Sequence, residues 1–331
     1  MRVLVTGAAG LIGIHVVDLL VRRPDVSVVF GVDDFSRSYL KNSPFIRSDQ
    51  FEKKFELMKC DYKEIDVALL DKLEPHVVIH LAASVSIPES LEKPWLYFLN
   101  NEFGTFDLLQ KLLKTKNQPA LIFASSPEVY GVPKYVPMDE EHPLNPRSIY
   151  SVTKLACEKH CLALYQWYGY PVTIIRNFNT YGENQNLGAY AGVITAFISN
   201  ALRNEPIFIH GDGTQTRDFL YVEDNARAYS MLVDKVDSAK GEVFNIGTGK
   251  ETSINELAKK IIALRDTKSI IVHMPNPRTA DLPALCADFS KIKEKLGWEP
   301  LFTLEEGLRR TMSWYKSALR GEMRQPTATQ I

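Results

Sequence analysis

The chain has 331 residues, with 39 Lys or Arg against 40 Asp or Glu, so its formal net charge is −1. This balance excludes a nucleic-acid-binding protein that relies on bulk positive charge, and we expect no nucleic-acid partner. The 45% hydrophobic and 24% charged fractions are ordinary globular values and exclude wholesale disorder. Four cysteines make no disulfide scaffold and show no zinc-type ligand spacing, so no metal is expected.

Apolar residues are distributed as in a protein without a membrane segment. No run of about 18 apolar residues occurs, so no membrane span is predicted. The apolar stretch after the first strand is interrupted by Gly7, Gly10 and Gly13, which is not the pattern of a signal peptide. We therefore expect a cytoplasmic protein with reduced cysteines.

Short apolar strands alternate with helical patterns in the first half of the chain. Strands are predicted at residues 2–5, 26–32, 77–81, 120–124 and 172–176, and helices at 11–22, 104–114 and 150–166. The alternation predicts an α/β fold, a Rossmann-type doubly wound parallel sheet with helices on both faces. Beyond residue 177, short elements and helices at about 254–264 and 304–317 predict a smaller C-terminal α/β lobe.

A glycine-rich turn, residues 6–13 (TGAAGLIG), joins the first strand to the first helix. Its glycines permit a tight turn and close backbone approach to a pyrophosphate, and the helix N-terminus offers free N–H groups to the anion. Asp33 ends the second strand 20 residues after Gly13. A carboxylate there accepts hydrogen bonds from both ribose hydroxyls and repels a 2′-phosphate, which favours NAD over NADP.

Tyr150 and Lys154 stand four residues apart at the start of a predicted helix, with Ser148 as its predicted N-cap. This spacing places both side chains on one helix face, where the ammonium group is expected to lower the pKa of the phenol toward neutrality. Ser126 follows the strand that ends at Ala124 and is expected to hydrogen-bond the same substrate hydroxyl as the phenol. Alone, such a Tyr and Lys are usually a solvated helix face, but the glycine turn and Ser126 favour catalysis.

These motifs resemble those of the extended short-chain dehydrogenase/reductase family, the NAD-dependent nucleotide-sugar epimerases and dehydratases. The resemblance runs from Met1 to about Lys316. Further shared motifs are Asp33-Asp34, Cys60-Asp61, His80-Leu81-Ala82-Ala83, Asn101-x-x-Gly104-Thr105, Ser125 to Gly131, Phe178-Asn179-x-Tyr181-Gly182, Gly211 to Phe219, Phe244 to Gly247 and Leu296-Gly297-Trp298.

The resemblance implies a set of ligand-binding residues. NAD is expected to contact Gly7, Gly10, Leu11, Ile12, Gly13, Asp33, Asp61, Leu81, Ala82, Tyr150 and Lys154. Asp61 would touch the adenine, and Tyr150 and Lys154 the nicotinamide ribose. Asn179, Arg217 and Arg278 would hold the diphosphate of a nucleotide sugar, since arginine forms a bidentate fork. The alternative for the two arginines is a surface or lobe-bridging salt bridge.

The resemblance also suggests how the chain is organised. Residues 1–176 are interpreted as the NAD-binding domain, with elements near 217–246 returning to it, and 177–318 as the nucleotide-sugar lobe. Residues 319–331 are predicted to be a flexible tail, and the polar segment 36–59 has no predicted role. A homodimer is expected through the helices that begin near Thr105 and Tyr150.

Glu128 favours a dehydratase or decarboxylase reaction, whereas the C-terminal stretch 278–288 favours 4-epimerisation. Glu128 matches the carboxylate of dehydratases and decarboxylases, or else is a structural carboxylate, while Pro127 replaces the Asp of the thymidine-diphosphate-glucose dehydratase pattern. The stretch 278–288 resembles UDP-galactose 4-epimerases, and Leu285 falls where residue size limits the sugar pocket.

We therefore predict a NAD-dependent nucleotide-diphosphate-sugar 4-epimerase, acting on a UDP-hexose of the glucose/galactose or N-acetyl type by transient oxidation at carbon 4. Tyr150 is the expected acid/base, Ser126 its hydrogen-bond partner and Lys154 the ribose anchor. The alternative is a 4,6-dehydratase or related lyase with Glu128 as the carbon-5 base. A third hypothesis, a non-catalytic NAD-sensing Rossmann protein, has no need of Ser126, Tyr150 and Lys154 together.

Overall fold

The computed structural model of the chain describes residues 1–36, 53–186, 191–265, 267–276 and 281–319. Arg278, residues 37–52 of the polar segment without a predicted role and residues 320–331 of the predicted tail lie outside these ranges. No helix within the described ranges is long and apolar enough to cross a membrane.

The strands lie where short apolar runs occur. In chain order they are β1 (Arg2–Thr6), β2 (Val28–Asp33), β3 (Phe55–Lys59), β4 (Val77–His80), β5 (Ala120–Ser125), β6 (Val172–Asn177), β7 (Asn179–Tyr181), β8 (Ile207–His210), β9 (Thr216–Arg217), β10 (Phe219–Tyr221), β11 (Val243–Ile246), β12 (Thr252–Ser253) and β13 (Ile271–Met274). Among the described residues, seven of them form one parallel sheet in the order β11-β6-β5-β4-β1-β2-β3.

Helices cover both faces of this sheet and build the smaller lobe. They are α1 (Leu11–Val21), α2 (Val67–Leu73), α3 (Ile87–Glu92), α4 (Pro94–Tyr97), α5 (Gly104–Lys114), α6 (Ile149–Tyr168), α7 (Val193–Arg203), α8 (Val222–Val233), α9 (Val236–Ala239), α10 (Ile254–Ala263), α11 (Ser290–Leu296) and α12 (Leu304–Leu319). A π-helical turn, Phe98–Phe103, joins α4 to α5.

The predicted fold class is confirmed, because the central sheet is parallel and is covered on both faces. One face packs on α1 and α8 in a core that runs from Val3 to Trp298, and the other packs on α5 and α6. Strands such as β5 are buried along their whole length, which explains their continuous apolar sequence. The sheet order reverses between β1 and β4, so a crevice opens at the carboxyl ends of these strands.

The second half of the chain contributes to both parts of the molecule. β11 pairs with β6 at the edge of the central sheet, and α8 packs against α1. β9 and β10 instead pair with β12 and β7, outside the central sheet. A separate apolar core joins α7, α10 and α12 in the smaller lobe. The functional division at residue 176 stays a prediction.

Candidate active site

The glycine-rich turn lies directly under the carboxyl end of β4. Gly7 has φ = +71°, and a Cβ on it would lie 2.7 Å from the backbone nitrogen of Ala82. A Cβ on Gly13 would lie 2.1 Å from the carbonyl oxygen of Gly7. Both positions therefore require glycine, which leaves a bare backbone cradle at the start of α1. This cradle fits the pyrophosphate of a dinucleotide.

Asp33 lies beside this turn at the end of β2. Its carboxylate accepts hydrogen bonds from the backbone nitrogens of Ala9, at 2.9 Å, and Phe35, at 2.8 Å. Burial is the largest influence on Asp33 and raises the pKa of its carboxyl group, against the effect of these two bonds. Asp33, Asp61 and Ala82 line one small pocket of about 120 Å³ next to the glycine turn. The carboxylate of Asp61 also pairs with the Lys63 ammonium, at 2.6 Å.

A cleft of about 670 Å³ continues from the turn across the ends of the strands. Of the residues predicted to bind or react, it is lined by Gly7, Gly10, Leu11, Ile12, Gly13, Leu81, Ser126, Glu128, Tyr150, Lys154 and Asn179. Together with the small pocket, the cleft thus brings together the predicted site residues that the structure describes, apart from Arg217.

Tyr150 lies in the first turn of α6, which Ser148 caps as predicted. The Ser148 hydroxyl accepts a hydrogen bond from the Ser151 backbone nitrogen at 3.1 Å, and the Ser151 side chain completes a capping box. The phenol of Tyr150 is buried beside the Ser126 side chain. Burial raises its pKa to about 12, and Ser126 opposes the rise only in part.

The expected lowering of the Tyr150 pKa by Lys154 is therefore wrong for this structure. The Lys154 ammonium instead donates a hydrogen bond to the Ala124 carbonyl oxygen, at 2.7 Å, and lies 5.0 Å from the centre of the Phe123 ring. Burial lowers the pKa of Lys154 to about 8, and nearby groups, including Glu158, oppose this. Helical spacing alone could not show which groups this ammonium contacts.

Glu128 lies in a 3₁₀ turn, Pro127–Val129, that begins directly after Ser126. The Ser126 hydroxyl accepts a hydrogen bond from the Glu128 backbone nitrogen at 3.3 Å. Burial raises the pKa of the Glu128 carboxyl group to about 7, while Arg217 lowers it and Asp281 raises it further. The carboxyl group therefore exchanges a proton near neutral pH inside the cleft.

Arg217 does not line the cleft as the structure describes it. Its guanidinium group donates to the carbonyl oxygens of Thr216, at 2.7 Å, and Leu282, at 2.8 Å, and pairs with the Asp281 carboxylate. The diphosphate role implied for Arg217 stays a prediction, as does that of Arg278, which lies outside the described residues. Leu285 is fully buried in an apolar cluster that reaches the cleft through Phe178, and its expected limit on the sugar pocket stays a prediction.

The cleft is also lined by Asn177 and Asn184, which were not singled out as ligands by the sequence. Asn177 donates to the Ser125 carbonyl oxygen, at 3.1 Å, and accepts from Asn225, at 3.1 Å. The side-chain oxygens of Asn179 and Asn184 are buried without a hydrogen-bond partner among the described residues, and both residues line the cleft. Such acceptors suit N–H or O–H groups of a ligand. Of these amides, only Asn179 was marked as a ligand-binding residue by its sequence motif, Phe178-Asn179-x-Tyr181-Gly182.

Known proteins are similar to this chain in both sequence and fold. The sequence model of the GDP-mannose 4,6 dehydratase family matches residues 4–311. A UDP-glucose 4-epimerase of Mycolicibacterium smegmatis is 33% identical over 96% of this chain and 99% of its own length. A UDP-N-acetyl-alpha-D-glucosaminuronate decarboxylase of Bacillus cytotoxicus is 35% identical over 95% of this chain and 98% of its own.

A solved structure shows a similarity to the same class of nucleotide-sugar enzymes. The UDP-glucuronic acid 4-epimerase of Bacillus cereus, in complex with UDP-glucuronic acid and NAD, superposes with a TM-score of 0.88. Its sequence is 29% identical, and the match covers 96% of this chain and 100% of that one. The fold and the cleft define a dinucleotide-binding α/β enzyme. The chain belongs to the extended short-chain dehydrogenase/reductase family of NAD-dependent nucleotide-sugar epimerases and dehydratases, and NAD is its cofactor.

Proposed function

We propose that this chain is a 4-epimerase of UDP-hexoses. One observation carries the proposal: the Tyr150 phenol, Ser126 and Lys154 lie together in a cleft continuous with the glycine turn. The similarity to UDP-sugar 4-epimerases over nearly the whole chain supports this reaction. A non-catalytic NAD sensor would have no use for this set of side chains.

The residues of the cleft divide into cofactor-binding and reacting groups. We assign the glycine turn, Asp33 and Asp61 to the pyrophosphate and adenosine of NAD, and Tyr150 and Lys154 to its nicotinamide ribose. Bound NAD supplies a hydride acceptor for carbon 4 and, in its oxidised form, a positively charged ring. A positive charge near the phenol lowers its pKa, in the same direction as the neighbouring Ser126 side chain.

Tyr150 then moves a proton at the carbon-4 hydroxyl, while Ser126 holds that oxygen in place. Burial of both side chains excludes water from the proton transfer. Asn179, Arg217 and Arg278 are assigned to the diphosphate of the UDP-sugar. For Arg217, this requires the guanidinium group to exchange part of its contact with Asp281 for the phosphates.

Proton NMR of the products distinguishes the candidate reactions. Purified protein with NAD is incubated in heavy water with UDP-glucose, UDP-N-acetylglucosamine and a thymidine-diphosphate sugar in separate reactions. The expected result is interconversion of a 4-epimer pair with the carbon-5 proton retained. Conversion of none of these sugars, by a protein that is folded and holds NAD, would refute the proposal.

Glu128 favours a second candidate, a 4,6-dehydratase or related lyase. A carboxyl group whose pKa is about 7, in the cleft, suits the removal of the carbon-5 proton. Because the base must be ionised, kcat/KM of a lyase should rise as pH increases through about 7 and then level off. The NMR assay would show a 6-methyl doublet or an alkene signal with deuterium incorporated, and Glu128→Gln would abolish the product.

An exposed apolar surface supports the expected homodimer. Its large side chains protrude from α4, the π-helical turn, α5 and α6, and include Trp95, which is 73% exposed, with Phe98, Leu99, Phe103, Phe106 and Val152. A surface of this kind is typical of a protein interface. A second copy of the chain would cover it through the helices that begin near Thr105 and Tyr150. We also propose a cytoplasmic location, because all four cysteines are free thiols.

A further inference from the structure

Glu158 and Arg176 form a buried ion pair behind the catalytic side chains. Glu158 lies on α6, one turn after Lys154 and two turns after Tyr150. Its carboxylate oxygens accept hydrogen bonds from Arg176 Nε, at 3.0 Å, and Nη2, at 2.7 Å. The two side chains are only 1% and 4% exposed. The mechanism assigns no role to this pair, although a charge is expensive to bury.

The pair is connected to the end of β5, directly before Ser126 and the 3₁₀ turn that carries Glu128. The Ser125 hydroxyl donates a hydrogen bond to Glu158 Oε1, at 2.5 Å. The preceding residue, Ala124, accepts the bond from Lys154. Side chains of α6 thus hold two consecutive residues of β5, and the next residue along the chain is Ser126, which lies beside Tyr150 in the cleft.

The far end of the same turn is held by Arg176. Its Nη1 donates to the Tyr130 hydroxyl at 2.8 Å, and this hydroxyl donates to Asn245 Oδ1 at 2.7 Å. Tyr130 directly follows the 3₁₀ turn that carries Glu128. One buried ion pair therefore holds the turn from Ser126 to Val129 on both sides.

We propose that Glu158 is a positioning residue, which holds the Ser126 hydroxyl against the Tyr150 phenol through its hydrogen bond with Ser125. The inference rests on the proposed roles of Ser126 and Tyr150, which the epimerase and the lyase share. It gives Ser125, which lines the cleft beside Ser126, a function in the chemical step that does not require it to touch the sugar.

The test compares Ser125→Ala with Ser125→Thr, because threonine keeps the hydroxyl group. We expect Ser125→Ala to lower kcat about tenfold, since a small displacement of a reacting group is enough for this loss. KM for the UDP-sugar and the NAD content per purified chain should stay within about twofold of the parent, because neither depends on this alignment. Ser125→Thr should restore most of kcat.

Ser199→Ala on α7 is the matched control, because Ser199 is a buried serine whose hydroxyl accepts a hydrogen bond from Arg203, away from the cleft. Its kcat should equal that of the parent. An unchanged kcat in Ser125→Ala would overturn the inference, and so would a loss that Ser125→Thr fails to restore while remaining folded and bound to NAD.

Crystal structures of the parent and of Ser125→Ala give a readout that needs no turnover. A longer distance between Ser126 Oγ and Tyr150 Oη in the variant supports the inference, and an unchanged distance overturns it. If the parent converts no UDP-sugar, the proposed function fails, but this structural comparison still decides the role of Glu158.

Discussion

The strongest prediction for stability concerns the substitution Glu158→Gln. It removes the charge opposite Arg176 in the interior and leaves a buried guanidinium group without its anion. Breaking a buried ion pair from one side costs about 3–5 kcal/mol, a large part of the roughly 5–15 kcal/mol that stabilises a native protein. With an unfolding entropy of about 2.1 cal/mol/K per residue, a chain of 331 residues should melt about 4–7 °C lower.

Urea denaturation followed by circular dichroism, together with differential scanning calorimetry, measures this loss. Glu256→Gln is the surface control: its carboxylate pairs with Lys260 at 3.4 Å and is 52% exposed, so the expected change is below about 1 kcal/mol. Replacing both partners, in Glu158→Met with Arg176→Met, should cost less than Glu158→Gln alone, since no unpaired charge remains. A Glu158→Gln protein within about 1 kcal/mol of the parent would refute the reasoning.

Three further predictions concern cofactor and assembly. Gly13→Ala places a Cβ 2.1 Å from the Gly7 carbonyl oxygen and should weaken NAD binding at least about a hundredfold by calorimetry. The control Gly169→Ala, at φ = +65° with open space around it, should cost only about 1 kcal/mol of stability and still bind NAD. Equal NAD affinity in the two variants would contradict the role of the glycine turn as a pyrophosphate cradle. Asp33→Ser should narrow the preference for NAD over NADP at least about tenfold in binding assays, and an unchanged preference would remove Asp33 from the ribose site. Phe103→Glu should give a monomer by light scattering and a lower melting temperature, since association no longer stabilises the folded chain, and a persistent dimer would place the interface elsewhere.

The local parts of the site could be predicted from the sequence because their geometry depends on near neighbours. The glycine turn needs only a strand, a tight bend and a helix, and these lie within residues 2–21. Tyr150 and Lys154 are likewise placed by one helix and its N-cap. Their convergence on one cleft follows from the parallel sheet, whose carboxyl ends all lie at one edge.

The remaining features depend on contacts between distant residues. Arg217 pairs with a carboxylate 64 residues away, so its availability to a ligand is not visible in its motif. The pKa of Tyr150 depends on burial by neighbouring elements, which spacing on one helix does not reveal. Glu158 gives a partial signal, since it repeats the helical interval of Tyr150 and Lys154, but its partner Arg176 is identified only when β6 packs beside β5.

The course of the chain through the central sheet has a consequence for synthesis on the ribosome. Val3 of the first strand shares its core with Phe244 of β11 and with Trp298, whose indole nitrogen donates to the Asp224 carbonyl oxygen. In the emerging N-terminal half, α1 covers only part of this sheet face, so the rest of the face stays exposed until almost the whole chain has been translated. Nascent chains that stop before residue 298 should be substrates for chaperones and proteases, whereas longer ones can close the core.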